Sequence, residues 1–161
     1  MHDIGRFVLF DADPEELNKV DDSGWATPED LVEAERDLLG FDHAALAWLV
    51  CQHWCIPDHV SEIVRDHHEY EEDCASRDAD TKTRVIGIIQ IADLLSTSGI
   101  LQETGKRTEQ ELSRLITERC LHPCWLNPPI EPRRLAASCA EIAEESQKLI
   151  DGLGLGATTF C

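Results

Sequence analysis

Apolar positions along this chain recur at three- and four-residue spacing, and the punctuation between them is that of helices. The opening stretch Ile4-Gly5-Arg6-Phe7-Val8-Leu9-Phe10 is too apolar for an untethered terminus and reads as a core element. Asp13-Pro14 offers a cap followed by a first-turn proline, so a short helix begins there and ends at Asp21 to Gly24. Thr27-Pro28 repeats that signal, and Leu31, Ala34 and Leu38 follow at helical spacing until Gly40 stops the helix. Asp42 caps a third helix, His43 to Trp54, which is apolar nearly all round, the pattern of a buried helix. Pro57 opens a fourth, with Val60, Ile63 and Val64 as its stripe and His67-His68 at its end.

Glu69 to Asp80 is acidic and aperiodic, a connecting loop. Residues 81 to 96 carry a β-branched run, but the segment is too long for a strand and would lack a partner, so it predicts the central core helix, ended by Gly99. Thr108 and Glu111 form a capping-box pair ahead of Leu112. His122 to Ile130 is a proline-broken connection, and Pro132 starts a last amphipathic helix to about Leu149. The expected fold is all-α: one helical bundle over residues 1–150 and a flexible, glycine-rich tail over 151–161.

Composition sharpens this picture in three places. With 42% hydrophobic and 29% charged residues, 161 residues suffice for one core. No apolar run is long enough to span a membrane and no signal peptide is evident, which predicts a cytoplasmic protein. The 14 Lys+Arg face 32 Asp+Glu, a net charge of −18, and basic pairs such as Arg133-Arg134 are isolated, which argues against nucleic-acid binding. That field also repels anionic nucleotides unless a metal offsets it. Seven cysteines, at 51, 55, 74, 120, 124, 139 and 161, do not suggest a disulfide framework. Cys51/Cys55 and Cys120/Cys124 are spaced one residue wider than the strong CxxC zinc form, against a plain reading as buried thiols.

Chemistry enters at His2-Asp3, which offers an imidazole nitrogen and a carboxylate oxygen side by side, a ligand pair for a Zn, Mn or Fe cation. Asp93 interrupts Ile91-Ala92 and Leu94-Leu95 and shares a face with Ile86, Ile89 and Gln90. A carboxylate there needs a partner, a hydrogen bond or a metal, unless it is capped or turned to the stripe's edge. His67-His68 reads either as ligands or as a pair favoured by the helix dipole, and His43 as a ligand or a satisfied polar group. His53 and His59 read as surface residues.

Taken together, His2-Asp3, His43, His67-His68 and Asp93 fall in the order HD, H, HH, D, and in that order the chain resembles the HD superfamily of metal-dependent phosphohydrolases. Within it, the chain is more similar to the regulatory HDOD (HD-related output) domain. The segments concerned are His2 to Leu9, Gly40 to Leu49 with Trp54 to Pro57, His67-His68-Glu69, and Ile91 to Leu94, spanning residues 2 to 97. The resemblance implies an all-α, HD-like bundle in which His2, Asp3, His43, His67, His68 and Asp93 ligate or line a mono- or binuclear centre of Fe, Mn or Zn. It also implies an N-terminally incomplete domain, because members of the family carry a helical half ahead of the HD pair. The face that half would cover, on the first helix and on His43 to Trp54, is apolar, so self-association or a protein partner is expected.

Three departures weigh against catalysis. Catalytic relatives take a further histidine from upstream of the HD pair; Tyr70-Glu-Glu-Asp-Cys74 replaces the continuation of the cyclic-di-GMP phosphodiesterase branch; and no Lys/Arg cluster is placed to hold a phosphate. The expectation is a bacterial signal-transduction module, non-catalytic and acting through protein contacts. The alternatives are a metal-dependent phosphohydrolase acting on a nucleotide or cyclic dinucleotide, and a structural bundle in which these residues are satisfied polar groups.

Overall fold

The structure, a computed structural model, describes residues 1–69, 80–119 and 131–152, and among them every regular element is an α-helix. In chain order these are α1 (Ile4–Ala12), α2 (Pro14–Asp21), α3 (Pro28–Leu39), α4 (His43–His53) and α5 (Asp58–Asp66). After them come α6 (Thr81–Thr97), α7 (Ile100–Glu103), α8 (Glu109–Arg119) and α9 (Pro132–Gly152). The all-α expectation holds. None of the described helices is long and apolar enough to cross a membrane.

Local chemistry sets the ends of these helices. The Asp13 carboxylate accepts the Glu16 N–H at 3.2 Å, and the Asp42 carboxylate accepts the Ala45 N–H at 2.8 Å. Thr27 and Asp30 bond reciprocally, at 3.2 and 3.1 Å. Gly40, at φ 80°, closes α3 in the left-handed region that a side chain disfavours. The expected box at α8 forms as well: Thr108 Oγ1 accepts the Glu111 N–H at 3.3 Å while Glu111 Oε2 accepts the Thr108 N–H at 2.9 Å. Thr108→Ala removes the first of these bonds and should lower the urea midpoint by an amount equivalent to about 1 kcal/mol.

Two clusters gather many of the buried apolar side chains, while Leu9, Leu17, Val20, Leu31, Val32 and Ala44 are buried outside both. The larger joins Ile91, Leu94 and Leu95 of α6 to Ile100, and to Leu112, Leu115 and Ile116 of α8, with Ala136 and Cys139 of α9 closing it. The smaller joins Ala47 and Cys51 of α4 to Val64 of α5, with Ile4 and Ile56 against them. Helix α6 touches α5 and α3 on one side and α7 on the other, so it connects the two.

Three sequence expectations change. Helix α4 is not buried all round: His43, Ala44, Ala47 and Cys51 face inward while Leu49 is 56% exposed. Its main neighbours are α1 and α5, and these cover one face only. In α3 the inward stripe is Leu31, Val32 and Glu35, and Leu38 is exposed, because Glu35 is drawn inward by Arg6 and His43. A further short helix, α7, follows Gly99 and buries Ile100 completely. Cys51 is a buried thiol, as its plain reading has it, and Cys55 is exposed. The acidic loop over 70–79, the proline-broken connection, the tail beyond 152, and Cys74, Cys120, Cys124 and Cys161 lie outside the described residues.

Candidate metal centre

Helix ends converge at one point. Asp3 occupies the N-cap position of α1 without making a side-chain cap bond, so its carboxylate is available to other groups. His43 is the first residue of α4, and His67 is the C-cap of α5 with His68 next to it. Two contacts bring these ends together. Helix α1 crosses α4 at Gly5, where the backbones approach so closely that a Cβ would lie 2.1 Å from the His43 carbonyl oxygen. On the other side, buried Gln90 of α6 donates to the carbonyls of His67 and Glu69 at 3.0 and 3.1 Å. Asp93 follows Gln90 by almost one turn of α6 and faces His2 at 3.3 Å. Gln90→Leu would leave both carbonyls without that donor, and an expected loss of about 1–3 kcal/mol in urea unfolding checks the tie.

All six residues singled out in the sequence meet here. Asp3, His43, His67 and His68 form one group and His2, Asp3 and Asp93 a second, each with ligand atoms within 4.8 Å of one another. Asp3 belongs to both. Its Oδ1 lies 3.4 Å from His43 Nε2 and 3.6 Å from His67 Nε2, and its Oδ2 lies 3.0 Å from His2 Nε2. His68 Nε2 is 2.9 Å from His43 Nε2. The His67 and His68 ring centroids are 4.0 Å apart. His53 and His59 are exposed, as expected.

Hydrogen bonding settles which nitrogens face the centre. His67 Nδ1 lies 2.6 Å from the Val64 carbonyl, which only accepts, so the proton is on Nδ1 and the Nε2 lone pair points inward. That Nε2 is buried without a hydrogen-bond partner. His2 Nε2 also lacks an aligned hydrogen bond, so its approach to Asp3 and Asp93 is an ionic contact.

The charges are strongly coupled. The Asp3 carboxylate first, and Asp93 second, raise His2 to about 9. Burial opposes protonation of His43, yet Asp3 and Glu35 together lift it to about 9. Burial, reinforced by His67 and His43, pushes His68 down to about 3. Burial alone would raise Asp3, but its contacts with His2, His43 and His67 outweigh that and hold it far below the ordinary carboxylate range. The carboxylates therefore call for positive charge, which protons or a cation can supply.

A divalent cation fits this donor set. Ligand atoms held about 2.1 Å from one ion sit roughly 3.0–3.4 Å apart in octahedral or tetrahedral arrangement, close to the spacings around Asp3. An imidazole lone pair left bare in the interior costs about 1–3 kcal/mol, which a cation would remove. The set is nitrogen and oxygen without thiolate.

A cleft of about 160 Å³ opens beside the cluster. Asp3, His43, His68 and Asp93 line it together with Trp25, Leu31, Ser96 and Thr97. Arg6 is the one arginine or lysine among the described lining residues, and both its arms are engaged, at 2.5 Å by Asp21 and at 2.8 Å by Glu35.

Nothing in its charge marks out Glu35, one of several acids on α3. Its signal was position, four residues after Leu31 and three after Val32 on the inward stripe.

Residues 1–70 match the family model of the HDOD domain. No curated protein and no solved structure matches the chain. The match ends before α6, short of the span to residue 97 read from the sequence, so Asp93 joins the cluster through tertiary packing outside the matched segment. The segment that contributes His2, Asp3, His43, His67 and His68 is thus the part of the chain that is similar to the HDOD domain family.

Proposed function

We propose that this chain is a regulatory HDOD module acting through protein contacts, with its histidine and aspartate cluster holding Fe, Mn or Zn as a structural centre. The carrying observation is the cleft wall. Arg6, the one arginine or lysine among its described residues, is held by Asp21 and Glu35 and is not free to take a phosphoryl group. The cleft, at about 160 Å³, is also small for a nucleotide. Exposed Phe7 and Phe10 on α1, and Leu49 and Trp54 at α4, supply apolar surface for a partner or a second copy. A bound cation would complete His67 Nε2 and balance Asp3 and Asp93, joining α1, α5 and α6.

The convergence of six ligand-type residues favours a second reading, a metal-dependent phosphohydrolase on a nucleotide or cyclic dinucleotide. In that case the metal would supply Lewis acidity and an activated water. The metal-loaded protein, assayed on a cyclic dinucleotide and a generic phosphodiester, separates the two. We expect no turnover that depends on Asp3. Hydrolysis abolished by Asp3→Ala and by Asp93→Ala would replace the regulatory reading with the enzymatic one.

A further inference from the structure

Glu35 is completely buried and lies against the cluster without belonging to it. We propose that Glu35 is the positioning residue of the centre: it fixes the His43 ring with the proton on Nδ1 and turns Nε2 toward Asp3 and His68. The inference rests on the metal-binding reading above.

The argument begins with the two oxygens. Glu35 Oε2 accepts the His43 backbone N–H at 2.8 Å and lies 2.6 Å from His43 Nδ1. Two groups of one residue meeting on a single oxygen fix the ring as well as the helix end. An ionised carboxylate only accepts, so Nδ1 must supply the proton and Nε2 is left for the centre. Nε2 does face that way, 3.4 Å from Asp3 Oδ1 and 2.9 Å from His68 Nε2. The carboxylate cannot turn away, because Oε1 accepts from Arg6 at 2.8 Å and Arg6 is tied to Asp21.

Arg6 stands three residues after Asp3 on α1, so one buried carboxylate ties the helix bearing Asp3 to the ring of His43. A simple brace for Arg6 would need only Oε1. The second oxygen is given to His43, as is usual for a carboxylate behind a metal-binding imidazole. Glutamine has the same shape, but if its oxygen faces Arg6 its NH2 faces Nδ1, and a donor meets a donor.

The test uses the full chain with labelled histidine, as wild type and Glu35→Gln, and zinc(II) alone as probe. Nitrogen NMR reads a protected His43 Nδ1–H, identified by its disappearance in His43→Ala. A competing chelator reads zinc affinity, and circular dichroism reads helix content. We expect the wild type to show the protected signal with and without zinc. Glu35→Gln should lose it and bind zinc roughly 10- to 100-fold more weakly, at wild-type helix content. Wild-type affinity with an intact signal in Glu35→Gln would reduce Glu35 to a brace and overturn the inference. A wild type that shows the signal but takes no zinc would overturn the metal reading and leave the ring-setting role of Glu35 standing. Absence of the protected signal from the wild type overturns the proposal outright, and decides the matter even if Glu35→Gln fails to fold.

Discussion

Gly5→Ala is expected to destabilise the chain and separate the two halves of the cluster. In an ordinary helix this substitution adds about 1 kcal/mol of stability, because alanine is the better helix former. Here the new Cβ would meet the His43 carbonyl oxygen at 2.1 Å, the His43 carbonyl carbon at 2.9 Å and the Ala47 nitrogen at 3.0 Å. All three are backbone atoms of α4 and cannot swing aside. The helices must move apart, at a cost of about 1–3 kcal/mol or more for overpacking, so the sign of the effect reverses. The same movement carries Asp3 away from His43, His67 and His68, whose ligand atoms now lie within 4.8 Å of its carboxylate oxygen. Urea unfolding and zinc titration of the variant check both consequences. A midpoint at or above the wild type would mean that α1 and α4 do not approach at Gly5.

Asp3→Ala is expected to abolish metal uptake altogether, whereas Asp93→Ala should abolish only part of it. Asp3 is the residue common to the two ligand groups, with one oxygen toward His43 and His67 and the other toward His2. Its loss leaves three imidazoles with no anionic ligand in one group, and one imidazole with one carboxylate in the other. Asp93 serves only the second group, so its loss leaves Asp3, His43, His67 and His68 intact. Elemental mass spectrometry after dialysis should therefore read no bound metal in Asp3→Ala and about one equivalent in Asp93→Ala. Equal metal content in the two variants would show that the groups do not act as two sites joined through Asp3.

Most of the helix ends were legible in the sequence because capping is short-range chemistry. Asp13, Thr27 with Asp30, Asp42, and Thr108 with Glu111 bond to backbone within three residues of themselves. The histidine and aspartate set was legible only through its resemblance to the order HD, H, HH, D of the HD superfamily, since acids are spread along the whole chain. Orientation was not. Leu38 and Glu35 occupy the same acidic amphipathic helix, and only the position of α1 and α4 decides that Glu35 turns inward and Leu38 outward. Helix α4 misled for a related reason: apolar composition signals that a face can be covered, and coverage depends on which neighbours arrive.

By itself the sequence determined the all-α class and the places where helices start and stop. These follow from interactions spanning a few positions, which a linear pattern records. Only the tertiary structure decided that Asp3 is shared between two groups, that Gly5 is the crossing point of α1 and α4, and that Glu35 backs His43. Asp93 reached His2 across ninety-one positions of sequence in the same way. Such contacts are set by how helices pack side chains against one another in three dimensions, and no local spacing encodes that distance.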